Sequence, residues 1–152
     1  MRKLLLLAGV LLGFGLITGS VTRTQALNGP GTIRITSRDL HVSLDNNGPV
    51  GRGAGDVLVI RQLLYNKSIR KQAIGHADIV CTFTGPKSRQ CNGTYFLPRG
   101  KIVVSGSVLY REFQELAVVG GTNIYDNVRG SMTATMLSRS PRRELLVFRL
   151  TV

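Results

Sequence analysis

Turn signals divide the chain into short runs that have the two-residue alternation of β-strands. In the first run, for example, Ile33 and Ile35 alternate with Arg34 and Thr36. Eight such runs follow one another along the sequence, over residues 32–44, 57–65, 74–84, 94–97, 101–110, 115–119, 131–137 and 144–151. None of them has the sustained three- and four-residue apolar spacing of an amphipathic helix. The sequence therefore predicts an all-β domain, either a closed antiparallel barrel or a sandwich.

The N-terminus has the pattern of an export signal. Arg2 and Lys3 precede an uncharged apolar run over residues 4–21, and small and polar residues follow it. We expect a signal peptide over residues 1–26 and one mature domain over residues 27–152, which makes the protein secreted, extracellular or associated with the cell wall. An uncleaved membrane anchor is the alternative, although a span needs about 20 apolar residues.

The expected mature domain is basic. It carries 17 Lys and Arg residues against 8 Asp and Glu residues, a net charge of +9. Because the cations are spread over the whole length and export removes most nucleic-acid partners, we expect no nucleic-acid binding. Attraction to an anionic polysaccharide or to lipid headgroups stays open, beside the simpler role of solubility.

Cys81 and Cys91 are the only cysteines in the chain. Export favours their oxidation, and opposite arms of a hairpin that turns near Gly85-Pro86 would bring them together, so we expect a disulfide. A metal site would need more cysteine or histidine nearby, and a nucleophilic cysteine would need a base. Since His41 and His76 are the only histidines, we expect neither a zinc site nor another cofactor.

The most specific motif of the chain spans residues 120–130. It contains Gly120-Gly121-Thr122, then Tyr125, then Arg129-Gly130, and it resembles the GGTG-x-[FY]-x-x-x-RG signature of dirigent proteins and the related allene oxide cyclase barrels. Further segments resemble strands of the same superfamily, in the expected order, at residues 55–60, 74–78 and 100–106. The resemblance implies an eight-stranded antiparallel β-barrel with a central hydrophobic cavity that restricts a reactive guest.

The function implied by this resemblance is the binding of a hydrophobic or phenolic small molecule in the barrel cavity. The barrel would steer cyclisation or stereoselective coupling of that molecule, at most as a cofactor-free cyclase or isomerase. Two other functions stay open: an allene-oxide-cyclase-like isomerase that acts on an oxidised lipid, and a non-catalytic secreted module that binds anionic polysaccharide. A homo-oligomer is also open.

Two departures from the dirigent pattern affect these expectations. Plant dirigents place two adjacent aspartates at the end of the first barrel strand, where this chain has Arg61-Gln62, so their acid chemistry does not carry over. Asn123 replaces the fourth residue of the Gly-Gly-Thr-Gly turn. That change is mild, because asparagine tolerates a positive φ.

Four residues are candidates for the chemistry. Arg129 matches the arginine of the signature, and at a cavity wall it would stabilise an oxyanion or bind a carboxylate; alternatively it bonds carbonyl groups of the preceding turn. His76 and Asp78 share one face of a strand and form a candidate acid–base pair, unless they are surface side chains. Tyr110 would present its hydroxyl at a barrel mouth, whereas Tyr125 is expected to pack.

Three further residues are expected in turns. Asp56 follows Gly55 and is expected to cap a turn through its side chain, with a cavity role as the alternative. Asn66 and Asn92 each begin an N-glycosylation sequon, and both fall at predicted turns, where an acceptor is accessible.

Overall fold

The computed structural model describes residues 31–66, 72–109 and 113–152. Within these residues, antiparallel strands close into an eight-stranded barrel in sequence order, with β1 paired to both β2 and β8. The predicted barrel is therefore confirmed, and the sandwich is not formed. The strands are β1 (Gly31–Asp45), β2 (Val57–Tyr65), β3 (Gly75–Gly85), β4 (Ser88–Leu97), β5 (Gly100–Leu109), β6 (Phe113–Gly121), β7 (Arg129–Arg139) and β8 (Arg142–Thr151).

Alternate residues of each strand fill the lumen of the barrel. On β3 the inward residues Ala77, Ile79, Cys81 and Phe83 are all buried, because successive side chains of a strand point to opposite faces. Similar sets on the other strands complete one continuous core, in which the rings of Tyr95 and Phe148 meet edge to face at 5.1 Å. Apolar burial in this single lumen is the main source of stability.

The predicted disulfide is confirmed. Cys81 on β3 lies directly opposite Cys91 on β4 in the register of the two strands, and their sulfur atoms are bonded. Both residues are buried and point into the lumen. The bond therefore joins two neighbouring strands from the inside of the barrel.

The glycine-rich motif forms the connection between β6 and β7 and covers one end of the lumen. Its short 3₁₀ turn, Asn123–Tyr125, buries Ile124 and Tyr125 in the core, together with Val128. Asn123 has φ of 62°, which confirms that asparagine takes the left-handed conformation here. We call this end of the barrel the signature end, and the opposite end, where β4, β6 and β8 begin, the distal end.

The predicted signal peptide, residues 1–26, lies outside the described residues. Within the described part of the chain, no helix is long and apolar enough to cross a membrane.

Candidate functional site

A small cavity lies in the distal half of the lumen. Its volume is about 30 Å³, which is enough for a single water-sized group and too little for a ring. Much of its wall is apolar and includes the Cys81–Cys91 disulfide. The other apolar lining residues are Ile60, Ile79, Leu116, Met132 and Ala134.

Polar side chains from β2, β4, β6 and β8 interrupt this apolar wall. The polar residues that line the cavity are Gln62, Arg89, Tyr95, Gln114, Arg142 and Glu144. The side chain of Arg142 keeps 33% of its exposure, whereas that of Glu144 keeps 10%. The cavity therefore borders on solvent at Arg142. The Glu144 carboxylate in its wall is mostly desolvated.

Two carboxyl groups meet at Gln62. Asp39 comes from β1 and Glu144 from β8, and these strands are neighbours in the barrel. The Gln62 Nε2 group donates to Asp39 Oδ1 at 2.8 Å and to Glu144 Oε2 at 3.1 Å. The Arg142 guanidinium donates to Glu144 Oε1 from Nη2 at 2.6 Å, and its Nε atom lies 3.8 Å from Asp39 Oδ2. We call these four residues the carboxyl cluster.

The two carboxyl groups of the cluster occupy unequal positions. Glu144 lines the cavity and accepts hydrogen bonds from the Arg142 guanidinium. Asp39 lies behind Gln62, and burial raises the pKa of Asp39 above its ordinary value. Three smaller effects act on the same pKa: the hydrogen bond from Gln62 lowers it, the charge of Glu144 raises it, and the charge of Arg142 lowers it. Asp39 is therefore a carboxyl group whose protonation is favoured by burial.

Tyr95 supplies a neutral hydroxyl group to the same region. Burial raises the pKa of Tyr95 far above its ordinary value, and the nearby negative charge of Glu144 raises it further. The phenol is therefore protonated at every physiological pH and is able to donate a hydrogen bond.

Asp39 makes the stability of the barrel depend on pH. Because its folded pKa is raised, the folded state holds this proton more tightly than the unfolded chain, and stability falls as pH rises through the folded pKa. Asp39→Asn removes that titration. We compare the free energy of unfolding of the variant with that of the native protein at each pH. As pH rises from 3 to 7, this difference is expected to change in favour of the variant, by about 1.4 kcal/mol for each unit by which the pKa of Asp39 is raised. Urea midpoints measured at intervals over this range test the expectation, and two parallel curves would contradict it.

Arg129 lies at the opposite end of the barrel from the cavity. It begins β7, is exposed, and donates from Nη1 to the carbonyl oxygen of Val128 at 3.0 Å. A Cβ atom on Gly120 would lie 3.7 Å from the same Nη1 atom. Arg129 therefore contacts the backbone of the signature turn and does not line the distal cavity.

His76 and Asp78 lie together on the outer face of β3. They alternate with the buried residues Ala77 and Ile79, so neither of them lines the cavity. Asp78 accepts a hydrogen bond from Arg61 Nε at 2.7 Å, which lowers the pKa of the carboxyl group, and lies 3.9 Å from His76 Nε2. The His76 ring stacks on Phe96 at 4.3 Å, so the pair belongs to a surface cluster.

The other predicted residues fall in several places. Tyr110 lies outside the described residues. Asn66 and Asn92 are exposed, and Asn92 accepts a hydrogen bond from Ser105 within the β4–β5 ladder. Asp56 is fully buried and accepts hydrogen bonds from two backbone amides of its loop. In the part of the chain that the structure describes, no group of three or more His, Cys, Asp or Glu residues is placed to hold a metal ion.

Asp39 and Glu144 were not predicted as site residues. A signal for Glu144 exists in β8, where Leu146, Phe148 and Leu150 define the inward face and the same alternation leads back to Glu144 and Arg142. Asp39 has a comparable signal in β1, where Ile33 and Ile35 define the inward face and the same alternation continues through Ser37 to Asp39. Pairing of β1 with β2 places Asp39 opposite Gln62, and the closure of the barrel brings Glu144 to them.

Comparison with known proteins identifies the fold. No family model matches the sequence, and no curated protein matches it. Among solved structures, the chain is similar to a pyocyanin demethylase, with a TM-score of 0.69 and 22% identity over 80% of this chain and 100% of that one. It is also similar to a pterocarpan synthase dirigent protein, with a TM-score of 0.62 and 13% identity over 83% and 86% of the two chains. This chain has the dirigent-type barrel fold.

A third similar structure shows how varied the chemistry of the dirigent-type barrel is. It is an exo-specific intermolecular Diels-Alderase, with a TM-score of 0.63 and 14% identity over 81% of this chain and 98% of that one. The names of the three proteins denote three different reactions. The dirigent-type barrel therefore fixes the architecture of this chain but not its reaction, which has to be argued from the site.

Proposed function

We propose that this barrel binds a hydrophobic small molecule at the distal cavity and steers its cyclisation or coupling without a cofactor. The observation that carries the proposal is the Glu144 carboxylate, which stands in the wall of a largely apolar lumen and is held there by Arg142 and Gln62. A buried carboxylate is costly unless it is paired. A barrel that needed only stability would fill this position with an apolar side chain.

The size of the cavity determines how a guest fits. Only a small polar head group enters a space of about 30 Å³, so the body of the guest lies further towards the distal end. An apolar surface continues there: Val42 is 51% exposed and pairs with Ile60, which lines the cavity. Paired residues of antiparallel strands share a face, so Val42 extends the apolar wall to the rim.

The carboxyl cluster gives the bound guest a defined chemistry. Glu144 is placed to accept a proton from the head group of the guest or to return one to it, and Tyr95 is a neutral donor in the same wall. Arg142 compensates the charge of Glu144 during that exchange. Confinement of the guest in one conformation supplies the remaining selectivity.

The similar structures support this proposal at the level of architecture. A pterocarpan synthase dirigent protein and a Diels-Alderase use the same barrel. The proposal departs from the acid pair of plant dirigents, because Arg61 and Gln62 occupy those positions and the carboxyl groups come from β1 and β8.

Filling the cavity tests the proposal. Ala134 lines it, and we expect Ala134→Leu to weaken the binding of an uncharged, environment-sensitive fluorophore such as Nile red at least tenfold. The matched control is Ala117→Leu, since Ala117 is exposed on the outer face of β6. Added leucine in a packed lumen costs about 1–3 kcal/mol, so thermal unfolding of both variants is measured in parallel. Equal binding by both folded variants would refute the proposed site.

A further inference from the structure

The amide group of Gln62 has a single allowed orientation. Its Nε2 group faces two carboxyl groups, Asp39 at 2.8 Å and Glu144 at 3.1 Å. Carboxylate oxygens accept hydrogen bonds, and an amide offers donors only from its nitrogen. A flipped amide would place its oxygen against both carboxyl groups and lose both bonds. The carboxyl cluster therefore determines the direction of the amide.

This orientation leaves the Gln62 Oε1 atom as an acceptor inside the barrel. Gln62 is 2% exposed and lines the cavity. Within the described residues, no donor lies within hydrogen-bond distance of Oε1. A buried acceptor without a partner destabilises the protein, so a ligand that offers it a donor recovers that free energy on binding.

We propose that Gln62 is the specificity-determining residue of this cavity, where its Oε1 atom accepts a hydrogen bond from an O–H or N–H group of the ligand. The inference rests on the proposed function, because it assumes a guest at the distal cavity. The ligand class is an aromatic or otherwise apolar molecule that carries one hydrogen-bond donor on its head group. A donor-sized head group matches the volume of about 30 Å³.

The same geometry disfavours ligands whose donor is capped by a methyl group. Such a ligand leaves Oε1 unsatisfied and adds a carbon atom to a space that holds one small group. Sites built to bond a hydroxyl or N–H group reject the analogue that lacks it because their own polar atoms are left unpaired. Because a methylated ligand leaves the buried acceptor unsatisfied, the donor is expected to be preferred about tenfold or more, and tenfold corresponds to about 1.4 kcal/mol.

Matched ligand pairs test this inference. The first pair is 1-naphthol and 1-methoxynaphthalene, and the second is indole and 1-methylindole. Isothermal titration calorimetry of the native protein is expected to show binding of each donor at least tenfold tighter than that of its methylated partner. Equal affinities within both pairs would overturn the inference while leaving the proposed function standing. No binding of any of the four molecules would overturn both.

A substitution assigns the preference to Gln62. Gln62→Met keeps the length of the side chain and removes the acceptor, so the ratio within each pair is expected to fall to about one while the methylated partners still bind. The control is Gln90→Met, because Gln90 lies on the outer side of β4 beside the buried residues Arg89 and Cys91. An unchanged ratio in Gln62→Met would refute the role of Gln62.

Gln62→Met removes the donor that Asp39 and Glu144 share, so the variant is expected to be less stable than the native protein. A measurement on the native protein tests the inference without this variant. With ¹³Cδ-labelled glutamine, one side-chain carbonyl resonance is expected to move downfield with 1-naphthol and to stay in place with 1-methoxynaphthalene. Absence of such a shift at saturating 1-naphthol would overturn the inference.

Discussion

Gly121→Ala is expected to prevent stable folding of the barrel, whereas Gly120→Ala is expected to leave it folded. A Cβ atom at position 121 would collide with the carbonyl oxygen of Tyr125, and would lie 2.6 Å from that of Lys101 and 2.7 Å from Tyr125 Cβ. Two of these obstacles are backbone atoms of the signature turn and of β5, which have no room to move. We expect a loss of about 4 kcal/mol or more, a large part of the stability of a small domain.

The neighbouring glycine provides the control. A Cβ atom at Gly120 would meet only the far end of the Arg129 side chain, at 3.7 Å, which is ordinary contact distance. Both substitutions add one methyl group to the same dipeptide. A difference between their losses of stability therefore measures the effect of the backbone contacts at Gly121. Thermal and urea unfolding of the two variants give the comparison. Similar losses in both would show that the signature is not held by backbone contact at Gly121.

The sequence predicts the strands best where an apolar run is bounded by turn residues at both ends. The predicted run 57–65 matches β2 from Val57 to Tyr65 at both ends. β4 is the opposite case: the prediction began at residue 94, whereas the strand begins at Ser88. The part that the prediction misses contains Asn92 and Gly93, and both residue types are depleted in strands. Pairing with β3 and β5 on both sides overrides that local preference.

The sequence predicts the site less well than the fold, because the site residues come from distant parts of the chain. His76 and Asp78 are close in sequence, and a two-residue spacing was enough to suggest a pair; the structure places them on the outer face. The residues that meet in the lumen are Asp39, Gln62 and Glu144, which are 23 and 82 positions apart. Asp39 and Gln62 are opposite each other in the β1–β2 pair, whereas only the closure of β1 against β8 brings Glu144 to them, and no local pattern contains that information.

A second large effect, outside the signature turn, is expected at Asp56. This residue is fully buried in the loop between β1 and β2, where Oδ1 accepts from the Asn47 amide at 3.0 Å and Oδ2 accepts from the Gly53 amide at 2.8 Å. The backbone oxygen of Asp56 accepts from Phe83 on β3 at 2.8 Å. The carboxylate therefore organises the loop around itself and lies where the loop joins the barrel, as a turn-capping residue does.

Asp56→Ala is expected to lower the free energy of unfolding by about 3 kcal/mol, because hydrogen bonds to a charged acceptor contribute about 1.5–3 kcal/mol each and two partly buried backbone amides lose their partner. Asp56→Asn keeps one acceptor oxygen, so its free energy of unfolding should lie between that of Asp56→Ala and that of the native protein. Asp45→Ala is the control, since Asp45 ends β1 and is exposed. Urea unfolding measures the three losses.

Hydrogen exchange separates a local from a global effect: the amides of Asn47 and Gly53 should lose protection in Asp56→Ala and keep it in Asp45→Ala. If Asp56→Ala and Asp45→Ala proved equally stable, the loop would be held by its backbone contacts to Phe83 and not by the carboxylate.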